Sequence, residues 1–299
     1  MSILAIDLGG THIKSGLVSD DYVVEKIFPP LASPDNLSDC LSLLDVLIQP
    51  HISDISGIAI SAPGTIDTDQ GVIYHGGTLP FLHEFNVKDY FASTYDLTAC
   101  AINDGKAAVL AELAKGNLEG VKNGAALVLG TGLGGGLIIN GQLYQGSHFQ
   151  AGELTFLLPP KLGKNEILDM RGVQVSAVGL IARLAEILNL DDEKDGPAVF
   201  QALSQRDSRI YPLFEDYCRY VALTILNLQT TLDLERFAIG GGISAQPLLL
   251  EEINRQFDRL KEEITPVKTI IKRPDIVACR HHNNANLIGA VYLLKTKMR

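Results

Sequence analysis

The sequence predicts an α/β fold built twice on one plan, and two stretches carry that prediction. Near the amino terminus, Ser2 to Ile6 is a short apolar strand, Asp7-Leu8-Gly9-Gly10-Thr11 a tight polar turn, and Ile13 to Val18 the returning strand. Midway along the chain, Ala125 to Leu129 is again an apolar strand that breaks into glycines, Gly130-Thr131-Gly132-Leu133-Gly134-Gly135-Gly136. It runs on through Leu137-Ile138-Ile139-Asn140-Gly141-Gln142-Leu143-Tyr144, which reads as strand, Asn-Gly turn and strand. Gly130, Gly132 and Gly135 satisfy G-x-G-x-x-G, but the dinucleotide form of that motif needs a helix next, where this chain has a strand. The glycines therefore sit at the tip of a β-hairpin, where bare backbone N–H groups can wrap a phosphate. Either stretch alone reads equally well as an ordinary Gly-rich hairpin; two of them, one opening each half, point to internal duplication.

The elements between them follow in order. Tyr22 to Phe28 is a further strand, and Pro29, Pro30 and Pro34 mark a loop. Leu37, Leu41, Leu44, Leu47 and Ile48 then recur at helical spacing up to Pro50. Gly57 to Ser61 is a buried strand running into Ala62-Pro63-Gly64, a turn at a strand's carboxyl end, where open α/β sheets place ligands. Gly71 to Phe91 shows little periodicity before Val87 and reads as an irregular loop and short helix. Leu97 to Ile102 is a strand, Asn103-Asp104 a polar step, and Ala107 to Leu113 a helix. Asp104 stands at a helix N-cap, and capping alone accounts for an Asp there. Its second reading is functional, because this strand end, the Pro63-Gly64 turn and the glycine loops would face one cleft.

Gly116 to Gly124 links into the second half. After its hairpin come His148, Gly152 and Glu153, the last either solvated surface or a ligand group, and then a break at Pro159-Pro160. Val178 to Leu188 and Ala198 to Leu203 are helices, and Phe214 to Leu232 is a long helix apolar on most of its surface. Phe237-Ala238-Ile239 runs into Gly240-Gly241-Gly242, followed by a helix through Leu249, Ile253, Phe257 and Leu260. That step suits either a ligand lying on bare backbone or a tight packing turn. Ile276 to Cys279 is a last strand, and Asn284-Ala285-Asn286 starts the closing helix.

Composition narrows the function. The 299 residues are 46% hydrophobic and 20% charged, the balance of a globular protein of about two domains. A net charge of -10 disfavours a nucleic-acid partner, whose affinity rests on clustered Lys and Arg. Cys40, Cys100, Cys218 and Cys279 lie far apart with no C-x-x-C pair, so neither a zinc knuckle nor a disulfide framework is expected. No basic leader precedes the first strand, and charges such as Arg183 and Glu186 break the longest apolar segments. The expectation is a cytoplasmic protein without a membrane segment. The adjacent His281 and His282 point different ways on any regular element and read as loop residues.

Asp7-Leu8-Gly9-Gly10-Thr11 with Lys14, Ala62-Pro63-Gly64, Asn103-Asp104, Gly130-Thr131-Gly132-Leu133-Gly134-Gly135, Ala151-Gly152-Glu153, Gly240-Gly241-Gly242 and Asn284-Ala285-Asn286-Leu287-Ile288-Gly289-Ala290 come in order along essentially the whole chain. Together they resemble the ROK family of sugar kinases and repressors. The resemblance implies an α/β, duplicated actin-like (ribonuclease-H-type) two-lobe fold with the nucleotide between the lobes. Residues 1–115, completed by 284–299, would form the first lobe and 116–283 the second. It implies ATP and Mg²⁺ as cofactors and a sugar as substrate. Asp104 would be the general base, and Gly64, Asn103, Asp104 and Glu153 would bind the sugar. Asp7 would hold Mg²⁺ directly or through water, Gly9, Gly10, Thr11, Lys14, Thr131, Gly132, Leu133 and Gly134 would serve the phosphates, and Gly240, Gly241 and Gly242 would lie under the adenosine. Phosphoryl transfer asks mainly for alignment and charge compensation, which suits a carboxylate base.

The departures from the family pattern are as informative. Most members of the family carry, just after the Glu matching Glu153, a Gly-His pair whose His ligates zinc and touches the sugar, and then a Cys-rich zinc loop. Here Thr155-Phe156 stands in that place and no cysteine follows until Cys218, so no zinc site is expected. A further sugar-binding Glu has no clear counterpart, since Glu166 lies in an unalignable segment. Such zinc-less variants resemble the β-glucoside kinase branch, and Phe156 would offer its ring to a second sugar. The expected reaction is transfer to the 6-hydroxyl of a hexose or β-glucoside, with glucokinase or N-acetylmannosamine kinase as alternatives. A sugar-responsive repressor is disfavoured because the first hairpin begins at Ser2, where the family's repressors carry a helix-turn-helix domain. Homodimers are usual in the family, and no stretch here identifies an interface.

Overall fold

The computed structural model describes residues 2–158 and 165–298; Pro159-Pro160 lies outside them. The chain divides into two compact units. The first comprises Met1–Glu119, Leu143–Ala151 and Asn283–Arg299, and the second Gly120–Gln142 and Gly152–His282. The segment Leu143–Ala151, which the sequence reading left with the second half, is counted with the first.

In the first unit the sheet runs Val24–Ile27, His12–Val18, Ser2–Leu8, Ile55–Ala62, Ala99–Asn103. The first three strands are antiparallel, and the last two run parallel to Ser2–Leu8. Ser2–Leu8 and Ile55–Ala62 are buried on both sides, as near-continuous apolar runs require when helices cover both faces of a sheet. Alternation sends Leu4, Ile6 and Leu8 into one core with Cys40, Leu44 and Ile48 of helix Leu37–Ile48 and Phe91 and Tyr95 of helix Val87–Tyr95. Each of these helices starts at an Asn, Asn36 or Asn86, whose side chain accepts from the backbone N–H three residues on. Ile3, Ala5 and Asp7 belong to the opposite face, against which the closing helix Ala285–Met298 packs. That helix also lies backbone to backbone on helix Asp104–Lys115: a Cβ on Gly289 would stand 1.8 Å from the Ala107 carbonyl oxygen, so only glycine permits the approach.

The stretch Gly71 to Phe91, expected to be an irregular loop and short helix, holds strands Val72–Tyr74 and Phe85–Asn86, which form a small sheet with Thr65–Asp67 just before it. Strands of two or three residues show no periodicity for a sequence reading to detect. The strand expected over Tyr22 to Phe28 is shorter, Val24–Ile27, because Tyr22 takes a left-handed φ of 64° and closes the preceding turn, its N–H donating to Ser19 O at 3.0 Å.

The second unit repeats the order with Gln142–Tyr144, Leu133–Ile139, Gly124–Leu129, Arg236–Gly241 and Asp275–Ala278, the chain leaving the unit along the first of these. Again a hairpin is followed by two strands parallel to its first arm. Ala125, Leu127 and Leu129 share a core with helices Ala177–Leu188, Gly196–Ser204, Tyr211–Leu232 and Pro247–Glu263. The glycine step is not followed directly by a helix: Gly240 and Gly241 close the strand, and the next helix begins at Pro247. All four cysteines are buried and none is joined in a disulfide, and burial pushes the Cys40 thiol up to about 11 and that of Cys100 to about 12. Neither thiol is disposed to act as a nucleophile.

Candidate active site

The first hairpin carries a buried carboxylate at its sheet's carboxyl edge. Asp7, 8% exposed, receives a hydrogen bond from Asn286 Nδ2 at 3.0 Å. Lys14 faces it in register across the hairpin, and Ser61 does so on the parallel neighbour. Burial pushes the Asp7 carboxyl up, while Asn286, Ser61 and Lys14 pull it partly back. The Ser61 hydroxyl is fully buried and makes no hydrogen bond of regular geometry, although it is near enough to favour the charged form of Asp7. A desolvated carboxylate beside an orphaned hydroxyl is a donor set short of a cation, and it fits Mg²⁺, which takes one or two carboxylates and completes its shell with water and phosphate. At the hairpin's tip, Gly9 N donates to His12 O at 3.1 Å and Ser33 Oγ donates to Gly9 O at 2.6 Å. Gly10 and Thr11 are exposed there.

The residues of this unit expected to bind sugar come together around one turn. Gly64 has φ +100°, and a Cβ on it would stand 2.8 Å from Tyr74 O and Gly76 N. Asn103 Nδ2 donates to Gly64 O at 3.0 Å. Its Oδ1 accepts from Lys106 N at 3.2 Å, which makes Asn103 the N-cap of helix Asp104–Lys115. The expectation that Asp104 is the cap is thereby corrected: Asn103, with extended φ −63° and ψ 142°, already fills that position, and Asp104 is the first helical residue. Asp104 is exposed, and its Oδ1 accepts from Gly105 N at 2.8 Å. Strands Ser2–Leu8 and Ala99–Asn103 flank Ile55–Ala62, so Asp7 and the Asn103–Asp104 step lie at the same sheet edge, roughly 10 Å apart by two strand spacings.

In the second unit the tip Gly130-Thr131-Gly132 is closed by Gly130 N donating to Gly132 O at 3.1 Å. Thr131 and Gly134 are exposed. The Leu133 N–H donates to Thr155 Oγ1 at 3.0 Å, and that hydroxyl donates to Leu133 O at 3.1 Å. Leu133 is thus a pinned residue with a buried side chain, leaving Thr131, Gly132 and Gly134 as the accessible part of the loop. Gly152, with φ +85°, lets the chain pass Gly136, and half-buried Glu153 follows it. Phe156 ends the turn Leu154–Phe156 with its ring 65% exposed. Gly241 has φ +102° and meets the Leu129 backbone, so it serves packing, while Gly242 is open. Glu166 opens the short helix Glu166–Asp169, and its side chain lies outside the described residues.

Ser33, Ser61, Thr78 and Thr155 escape a sequence reading because isolated hydroxyls leave no pattern. Thr78 Oγ1 would stand 2.7 Å from a Cβ on Gly10, bringing the loop behind Gly64 against the first hairpin. Asn286 did leave a signal, in Asn284-Ala285-Asn286. Among the described residues no three His, Cys, Asp or Glu side chains gather to hold a metal ion, and no helix is long and apolar enough to cross a membrane.

This chain is 28% identical over 300 residues to a β-glucoside kinase of Listeria monocytogenes, covering 98% of this chain and 97% of the other. It is 31% identical over 324 residues to a glucokinase of Halalkalibacterium halodurans, covering 98% and 94%. A crystal structure of a ROK family protein from Streptococcus pneumoniae in complex with sucrose superposes with a TM-score of 0.87 at 29% identity, over 100% of this chain and 99% of that one. The duplicated hairpin-and-parallel-strand order is that of the actin-like sugar kinase fold. The sequence model of the ROK family matches from residue 3 to residue 297, almost end to end, and the chain belongs to that family.

Proposed function

We propose that this protein transfers the γ-phosphoryl group of ATP to the 6-hydroxyl of a hexose or β-glucoside, with cellobiose-like disaccharides as the preferred class. The observation that carries the reading is the Asn103–Asp104 step. Asn103 caps the helix and grips the Gly64 carbonyl, so it holds Asp104 beside a turn whose backbone can meet a sugar. Asp104 takes the proton of the attacking hydroxyl as the bond to phosphorus forms; Asn103, the Gly64 backbone and Glu153 hold the ring. Gly9, Gly10, Thr11, Lys14, Thr131, Gly132 and Gly134 serve the phosphates, and Gly242 with its two neighbours supports the adenosine. Asp7 holds Mg²⁺, directly or through water. When bound, that ion neutralises charge on the phosphate oxygens.

The glucoside preference rests on Phe156. Its ring is exposed rather than packed in the core, so it offers apolar area without requiring a free anomeric hydroxyl. The similarity to a β-glucoside kinase supports the same reading, as does a related chain crystallised with a disaccharide. A coupled ADP-release screen against glucose, N-acetylmannosamine, cellobiose and gentiobiose tests it. Cellobiose is expected to match or exceed glucose in kcat/KM. A tenfold or greater preference for glucose overturns the disaccharide reading and leaves the kinase; no ADP release with any sugar overturns both.

A further inference from the structure

Three exposed rings flank the Pro63–Gly64 turn, and neither the fold nor the phosphoryl transfer uses them. Tyr74 ends strand Val72–Tyr74, His75 follows it, and His83 comes just after the turn Pro80–Leu82. The imidazoles of His75 and His83 stack with centroids 5.1 Å apart and planes 10° from parallel, and Tyr74 stands edge-on to His83 at 6.4 Å. The loop bearing them is seated on Gly64 itself, since the Tyr74 carbonyl and the Gly76 N–H are the groups that a Cβ on Gly64 would strike.

The arrangement is held at a cost. His75 has φ +65°, a left-handed conformation unfavourable for a residue with a side chain. It is kept there by its own N–H, which donates to His83 Nδ1 at 3.1 Å. With Nδ1 accepting, the neutral His83 ring carries its proton on Nε2, which makes that nitrogen an outward donor. The Glu84 carboxylate lies 4.0 Å from the same nitrogen, so an acceptor stands beside the donor. Flat ring faces rimmed by one donor and one acceptor match a pyranose, whose C–H face is apolar and whose equatorial hydroxyls both donate and accept. Parallel stacked imidazoles cannot aim their lone pairs at one ion, so the pair is not a metal clamp.

We infer that Tyr74, His75 and His83 form the subsite for the second ring of a β-linked glucoside whose first ring is held at Gly64, Asn103 and Asp104. This rests on the glucoside kinase reading above and moves the principal platform for the outer sugar from Phe156 to the first unit. The test compares His83→Ala and His75→Gly with Phe156→Ala, measuring kcat and KM on cellobiose and on glucose. Glycine adopts the left-handed φ without strain, so the loop keeps its path in the His75→Gly variant. Both histidine variants are expected to lose about tenfold more kcat/KM on cellobiose than on glucose, through KM rather than kcat. In the wild type, the Cε1–H proton resonances of His75 and His83, identified by their loss in the variants, should shift on adding cellobiose and not on adding glucose. Proportional losses on both sugars, unmoved resonances, or discrimination lost in Phe156→Ala alone would each overturn the subsite. A wild type that uses glucose but not cellobiose defeats the glucoside reading and the subsite with it. A wild type that uses cellobiose while the histidine variants fail to discriminate defeats only the subsite.

Discussion

The two hairpins sit at the same place in sheets of the same order, and their registers let residues be compared one for one. In the first unit Asp7 lies opposite Lys14 across the hairpin and beside Ser61 on the parallel neighbour. In the second unit Val128 occupies that position, with Gly134 and Gly240 as the two partners. A carboxylate, an ammonium and a hydroxyl in one copy are a valine and two glycines in the other. Both sheets form, so neither set is required by the fold. The duplicated scaffold is shared, and what differs is how each copy can meet a ligand. The first offers charge, and must bury a carboxylate to do so. The second offers bare backbone, at the entropic cost that glycine carries into a strand.

If the chemistry resides in the first copy, its removal there should have the largest effect. Asp104→Asn is expected to lower kcat by about 100- to 10,000-fold, the range for loss of a general base. Fold and nucleotide binding should survive, because Asn103 supplies the helix cap. Turnover measured beside ATP titration calorimetry checks this, and near-normal turnover would take Asp104 out of the reaction.

Asp7→Asn brings the first copy closer to the second, and it should act on activity and stability with opposite signs. Activity should fall by about 100- to 1,000-fold, the scale for losing an electrostatic stabiliser of the transition state. Stability should rise at neutral pH without Mg²⁺ or nucleotide. Burial raises the folded-state pKa of Asp7 above its ordinary 3.8, so its charging penalises the fold increasingly as pH climbs through that range, and fully above the raised value. The gain in Tm from Asp7→Asn should therefore be present at pH 7 and vanish as pH falls below 3.8. A variant that loses Tm at pH 7 would mean that Asn286, Ser61 and Lys14 more than offset the burial.

The glycines of the two copies should separate in stability. In Gly241→Ala the new Cβ would lie 2.0 Å from the Leu129 carbonyl oxygen at φ +102°, and neither backbone can yield. A loss on the order of 3 kcal/mol is expected by denaturant titration. In Gly10→Ala the new atom meets the Thr78 side chain, Oγ1 at 2.7 Å and Cβ at 2.9 Å; rotation moves the hydroxyl but not Cβ, so the exposed hairpin tip must shift slightly, and at a φ without strain the loss should be smaller, about 1 to 2 kcal/mol. Equal losses would erase the distinction between a glycine kept for packing and one kept for access.

Much of this contrast was legible in the sequence, for a physical reason. Hairpins, an Asn-Asp step after a strand and a Pro-Gly turn are local signals, fixed by backbone preferences over a few residues. What stayed hidden depends on distance in the chain. Leu143–Ala151 joins the first unit because Gln145 bonds Thr68 and Lys106 reaches the Phe149 carbonyl, contacts no local pattern announces. The cap was misplaced by one residue because Asn103 and Asp104 are both good capping types, and only the dihedrals choose between them. The occupied N–H of Leu133 depends on Thr155, a residue 22 positions away.

The smallest expected effect concerns how the two tips are held, where the copies converge by different means. Ser33 Oγ donates to Gly9 O in the first unit; Thr155 Oγ1 both accepts from Leu133 N and donates to Leu133 O in the second. Each hydroxyl comes from a segment beyond its hairpin and fixes backbone that would otherwise be free to flex, which matters if the tips hold phosphate as proposed. Thr155→Val keeps the side chain's shape and deletes both bonds, whereas Ser33→Ala deletes one. At about 1 kcal/mol per bond, partly expressed in ordering the loop, KM for ATP should rise about three- to tenfold in Thr155→Val and less in Ser33→Ala, with kcat nearly kept. Leu133 N–H would be released in the first case, and a phosphate oxygen could then claim it as a new donor. A fall in KM for Thr155→Val would therefore show that the free N–H outweighs a rigid tip, and would reverse the view that the second hairpin works by being held still.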